Sequence, residues 1–252
     1  MEKQQTRAVA FSVAVLISLV SSFQAKALSD PTPEVLKDRI SRALKNKGGL
    51  KTLHTSLHEE FGSAAIKPLV ALIKNEGNND EIRWAAVYGL GRLAGKESIG
   101  FLGKVITDKS WMLRDAALKT AAALGADELS TSITQRLKDE ALVVRTTAVQ
   151  TIGHLNLKKA APKLVDALFD PINYNGGKGL WIHKYILQVI RDFKYTAATP
   201  KLVDLLETTK DETLQRQLIL TLEVLTGKTF PNRTIQEQVF LWKRNTLAEK
   251  TF

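Results

Sequence analysis

Cysteine is absent from the 252 residues, which excludes disulfides, lipid-modified cysteine anchors, thiolate metal sites and cysteine nucleophiles. Histidine is scarce: His54, His58, His154 and His183 are the only imidazoles. With so few, no GxSxG and no strand signal, a hydrolytic triad has nothing to be built from. His54 and His58 are four apart, as in a helical metal pair, but two ligands without a third do not hold an ion. No metal, cofactor or catalytic residue is therefore expected. The run GGKG at 176–179 lacks both the GxxxxGK[ST] spacing and the preceding strand of a phosphate loop. Long apolar runs are also missing. The longest, Ala8 to Val20, has 13 residues, short of the roughly 20 a spanning helix needs. Lys3 and Arg7 precede it and Ala25-Lys26-Ala27 follows, so residues 1–27 read as a cleaved secretory signal peptide. No membrane span is expected after its removal.

What the chain has in excess is positive charge, +10 overall. That biases encounters toward an acidic protein or an anionic envelope polymer, and export argues against nucleic acid. The densest cluster is Lys37, Arg39, Arg42, Lys45, Lys47 and Lys51 against Asp38, a candidate polyanion-binding stretch at 37–51.

The chain also repeats itself. IRWAAVYGLGRL (82–93), LRDAALKTAAAL (113–124) and VRTTAVQTIGHL (144–155) place Arg83, Arg114 and Arg145 at intervals of 31 residues. Counted from each Arg, apolar or small residues recur at −1, +3, +4, +7 and +10, one side of a 3.6-residue helix. A fixed period carrying one helical face is the mark of a stacked solenoid. Each of these helices (B) is preceded by a shorter one (A): residues 65–74, 97–107 and 128–138, then 160–169 and 198–207 for two further units. Pro68, Pro162 and Pro200 fall in A-helix opening turns, where proline is tolerated. The fourth and fifth B helices place His183 and Gln215 in the Arg position. About seven extra residues lie within PINYNGGKGL (171–180), where one proline and three glycines exclude a regular helix. Before the units, Thr32 and Pro33 start a helix, and Leu50, Leu53, Leu57 and Phe61 mark a second. After them, Ile235, Val239, Trp242 and Thr246 mark the inner face of a last helix.

A proline-opened A helix, a connecting Asp, a B helix beginning apolar-Arg and a small residue at its middle resemble the HEAT repeat. The short variant named after phycobilisome lyases is the most similar form. The resemblance implies an all-α fold: a right-handed α-solenoid of about five HEAT-like helix pairs with helical caps. The boundaries are 1–27 for the signal, 28–63 for an N-terminal cap or divergent repeat, 64–227 for the repeats and 228–252 for a C-terminal capping helix. It also implies that Arg83, Arg114 and Arg145 turn inward toward Asp80, Asp108 and Asp139, where an anion-binding stripe would instead leave them free. Gly91 and Gly153 keep the small mid-helix position; Arg191 and Glu223 depart from it. The family includes a di-iron hydroxylase and phycobilin lyases. A single His-Glu pair (His58-Glu59) and the signal segment argue against carrying either activity over.

In such stacks the B helices line the concave face, which predicts exposure one, two, five, six and nine residues after each Arg. Trp84, Tyr88 and Arg92 are the candidates in the first unit, Asp115, Lys119 and Thr120 in the second, and Thr147, Gln150, Thr151 and His154 in the third. Trp84 and Tyr88 have an alternative place beneath the N-terminal cap. Tyr174, Lys178 and Trp181 in the insertion are candidate lateral contacts. The function this implies is a non-enzymatic protein-interaction scaffold of an exported or envelope compartment. The alternatives are a lyase- or oxidoreductase-like enzyme subunit of this family and a polyanion binder.

Overall fold

The computed structural model describes residues 31–249, so the proposed signal segment lies outside the described residues. Thirteen α-helices run through them. Helices α1 (Pro33–Lys45) and α2 (Gly49–Phe61) come first. The Thr32 hydroxyl accepts from the Val35 N–H and Pro33 occupies the opening turn, so the start of α1 follows directly from two residues.

Five A–B pairs follow. They are α3 (Ile66–Lys74) with α4 (Asp80–Ala94), α5 (Ile99–Val105) with α6 (Trp111–Leu124), and α7 (Ser130–Gln135) with α8 (Leu142–His154). The last two are α9 (Ala161–Leu168) with α10 (Ile182–Asp192), and α11 (Thr199–Thr208) with α12 (Glu212–Thr226). Each A helix is entered through a short 3₁₀ turn, which shortens the first four from the sequence expectation and shifts the fifth by one residue. Helix α13 (Ile235–Glu249) closes the stack on α11 and α12. There Trp242 is buried, edge-on to Phe230 at 5.1 Å. Among the described residues, no helix is long and apolar enough to cross a membrane.

The two helix types are buried differently. An A helix such as α9 hides one face, with Leu164, Val165 and Leu168 inward and Pro162, Lys163 and Asp166 outward. A B helix meets its own A helix and a B helix on each side, α4 against α6, α6 against α8, α8 against α10 and α10 against α12. Helix α4 accordingly buries Ile82, Ala85, Ala86, Val87, Gly89, Leu90 and Gly91. Small residues permit this approach. A Cβ added at Gly91 would stand 2.2 Å from the Thr120 methyl, and one at Gly153 would stand 2.8 Å from Val189 Cγ2. Both contacts are closer than side chains tolerate.

The 171–180 insertion is more ordered than a loop. Pro171–Asn173 forms a 3₁₀ turn, and β1 (Tyr174–Asn175) pairs antiparallel with β2 (Lys178–Gly179). Gly176 and Gly177 take φ of +56° and +77°, the left-handed pair that a two-residue hairpin requires.

Candidate functional site

The arginine ladder turns inward. Arg83 Nη2 donates to Asp108 at 2.7 Å, its Nη1 to Asp80 at 3.2 Å and its Nε to the Ile73 carbonyl. Arg114 forks onto both oxygens of Asp139, at 2.8 and 2.7 Å, and also binds the carbonyls of Asp108 and Lys109. The Asp139 hydrogen bond holds the Arg114 guanidinium above its ordinary pKa. Every guanidinium thus ties one A–B connection to the next, and none is free to bind an external anion.

Arg145 corrects the expected pattern. Its sequence-equivalent partner, Asp170, instead accepts the Ile172 N–H. Arg145 turns to Asn173 Oδ1 at 2.8 Å and the Ile172 carbonyl at 2.9 Å, and it keeps only the backbone oxygens of Asp139 and Glu140. With no carboxylate bonded to it, burial pushes its pKa down. Asn173, fully buried, also donates to Ala167 O. The insertion therefore supplies the missing rung. It is fastened on its far side as well, since the Gly179 N–H donates to Asp211, the N-cap of α12.

Tyr174 was expected to face a ligand, but it points into the protein. Its hydroxyl donates to Leu168 O, and its ring meets His183 edge-on at 4.6 Å. His183 sits 3.0 Å from Leu180 O and 3.3 Å from Leu168 O, and burial pushes its pKa down. A neutral imidazole has one N–H, so it donates to one of the two carbonyls. Gln215, in the last slot, donates to Thr209 O. Lys178 is exposed, and Trp181 is 60% exposed while donating to Thr146 Oγ1.

The B-helix surface is narrower than the five expected positions. Positions +2 and +6 are the seam between B helices, so Thr120, Thr147 and Thr151 are buried, not exposed. Asp115 at +1 is buried too, and accepts from Thr147 Oγ1 at 2.6 Å and Lys119 Nζ at 2.7 Å. Trp84 and Tyr88 are half-buried, edge-on at 4.9 Å. Burial, with the Asp115 charge, pushes the Tyr88 hydroxyl up to about 12. His54 of α2 reaches the same region, adjoining Gly89, and burial followed by the Arg92 charge lowers its pKa.

Rows +5 and +9 remain open to solvent. Arg92, Lys119, Gln150 and His154 lie on them, as do Gln188, Leu220 and Val224. Leu220 is 50% and Val224 54% exposed. Sequence reasoning missed these last three, although counting five and nine from His183 and Gln215 reaches them. Tyr88, at +5 of the first unit, is the half-buried exception, and along the stack the ridge passes from cationic through amide and imidazole, with one exposed carboxylate at Asp192, to apolar side chains.

A groove of about 1110 Å³ opens on the opposite, A-helix side, between α7 and α9. Leu137, Leu157 and Phe169 give it an apolar lining, and Lys138, Lys158 and Lys159 are among its charged residues. It was not anticipated, because the sequence reading placed recognition on the B helices. In the basic stretch at 37–51, Arg39 pairs with Glu60 and Arg42 with Asp38, which neutralises part of its charge.

A family model described as HEAT repeats matches residues 66–141. Among curated proteins, none matches the chain. Solved structures similar to it include the complex of CpcE and CpcF of phycocyanin lyase from Nostoc sp. PCC7120, at 15% identity. That match covers 88% of this chain and 97% of that chain, with a TM-score of 0.42. An engineered protein aligns at 14% identity over 82% of this chain and 94% of its own, with a TM-score of 0.47. A designed armadillo repeat protein in complex with the peptide (KR)4 aligns at 18% identity over 76% and 99%, with a TM-score of 0.46.

Proposed function

We propose, from the premise that this chain is a HEAT-repeat protein, that it is a non-enzymatic scaffold gripping another protein along its B-helix ridge. One observation carries the reading: rows +5 and +9, apart from half-buried Tyr88, stay exposed beside the largely buried rows +2 and +6, and they end in the exposed apolar pair Leu220 and Val224. The seam does not use that pair, and apolar residues beside a polar strip are typical of contact surfaces. Arg92 at the other end suits an acidic partner and would speed the encounter, whereas the Lys119 charge beside it is already met by Asp115. The exported or envelope compartment is supported by the sequence pattern of residues 1–27 alone.

The test places a photo-crosslinking residue at Gln150 and recovers partners from the envelope fraction at low and high salt. The expected result is a discrete protein adduct that is lost in Leu220→Ser/Val224→Ser and weakened, mainly at low salt, in Arg92→Glu/Lys119→Gln, which keeps an N–H donor for Asp115. An adduct indifferent to both double variants sinks the ridge reading. A stoichiometric chromophore or metal in the purified protein sinks the non-enzymatic one.

A further inference from the structure

The A-side groove has no role in the ridge reading, and its origin is legible in the chain. Residues 130–134 read STSIT, a run of weak helix formers, and α7 ends after six residues before passing into a 3₁₀ turn at 136–138. The A helices on either side of it, α5 and α9, have 7 and 8. The short helix leaves the A layer open between the third and fourth units. The groove's volume, about 1110 Å³, lies at the top of the range for a small-molecule pocket and has room for several residues of chain.

Charge decides which chain. Asp166, on the groove wall, is engaged by Lys201 at 3.1 Å and Lys163 at 3.5 Å, and its pKa is lowered by the Lys201 hydrogen bond first. Asp170 accepts the Ile172 N–H and faces Arg145, and Asp127 is exposed at the rim, so Lys138, Lys158, Lys159 and Lys163 outnumber the lining carboxylates by one. Among the described residues, no carboxylate pairs with Lys138, Lys158 or Lys159, all exposed along the lining. Beside these three ammonium groups, Phe169 is 41% exposed and Leu157 half-buried, an apolar shelf with no covering element.

We infer that the groove between α7 and α9 is a second binding site, for an acidic peptide segment of a partner carrying a bulky apolar anchor. The anchor lies on Phe169 and Leu157, and carboxylates on either side of it meet the three lysines. Uncompensated lysines beside apolar surface discriminate by charge sign as well as by shape.

The probe is a fluorescent, N-acetylated eight-residue peptide alternating Glu with Phe and Leu, titrated onto the full chain by polarisation. Two controls replace every Glu by Lys, or every Phe and Leu by Ala. Saturable binding of the acidic amphipathic probe alone is expected, weakening as salt rises. Lys138→Glu/Lys158→Glu/Lys159→Glu should weaken it at least tenfold and Phe169→Ser several-fold, both with unchanged circular dichroism. Arg92→Glu/Lys119→Gln should leave it untouched, which separates failure here from failure of the ridge reading. Absence of saturation at millimolar protein, equal binding of the Lys control, or indifference to the triple variant overturns the inference. So does tighter binding of anionic phospholipid vesicles that the triple variant abolishes, which would assign the groove to a membrane surface.

Discussion

The first three B helices and the last two solve the same problem with different chemistry. Each must tie its opening turn to the connection beside it. In the first two, a guanidinium meets a carboxylate: Arg83 with Asp108, Arg114 with Asp139. In the third, the guanidinium stays and the carboxylate is replaced by the Asn173 amide and a carbonyl. In the fourth and fifth the charge is gone, and His183 and Gln215 bond to backbone oxygens. Stacking therefore requires a satisfied polar group at this position, and an ion pair is one of several ways to provide it. The hairpin appears where the pattern changes, and its Asn173 is the group that makes the change possible.

A disruption placed in the apolar seam should ignore this difference. Leu118 in α6 and Leu187 in α10 are both completely buried. Leu118→Asp and Leu187→Asp each bury a carboxylate without a partner, at a cost of several kcal/mol, comparable with the roughly 5–15 kcal/mol that holds a domain together. Both should collapse the helical circular dichroism and the melting transition over several units at once. If Leu187→Asp melted α10 alone and left the first three units intact, the two halves would be separate cooperative blocks, and the shared seam would be refuted.

The rungs themselves should separate the halves. Arg114→Ala leaves the buried Asp139 with only Arg136 at 3.4 Å and the Ala141 N–H, and losing the main partner of a buried pair costs up to about 3–5 kcal/mol. Arg145→Ala strands only an amide and carbonyls, which costs about 1–3 kcal/mol. Urea midpoints of the two variants measure the gap. Equal losses would mean that the carboxylate contributes nothing beyond its hydrogen bonds.

Much of the fold was readable because periodicity is a local property. The intervals between Arg83, Arg114 and Arg145, the apolar positions after each, and the Thr32–Pro33 helix start all follow from near neighbours in the chain. What was not readable depends on neighbouring units. Thr147 and Thr151 read as surface threonines until α6 lies against them, and Tyr174 reads as a ligand contact until His183 is placed beneath it. Nothing local in the sequence marks Asn173, because Asp170 holds the aligned position, and three residues of 3₁₀ turn decide which of them reaches Arg145. The groove was hidden for a related reason. The weak helix formers at 130–134 were visible, but the opening they leave depends on where α9 stops.

The smallest expected effect concerns pH, and it sharpens the contrast between charged and neutral rungs. Burial holds His183 neutral in the folded chain by lowering its pKa below the ordinary 6.5. When unfolded, the same ring takes up a proton as pH falls through 6.5, so the unfolded state binds more protons there. Its contribution to stability is therefore complete above that pH and is lost as pH falls toward the depressed folded value. His54, between the cap and α4, shifts in the same direction and adds its own share. Guanidinium rungs do not titrate in this range. His183→Gln keeps an N–H donor for one of the Leu180 and Leu168 carbonyls but removes the titration. Its melting temperature should fall less than that of the parent chain between pH 7.5 and pH 5.5, and the remaining slope should shrink further on adding His54→Gln. A slope that His183→Gln leaves unchanged would mean the ring is hydrated enough to protonate in place, and the fourth rung would then be as capable of carrying charge as the first three.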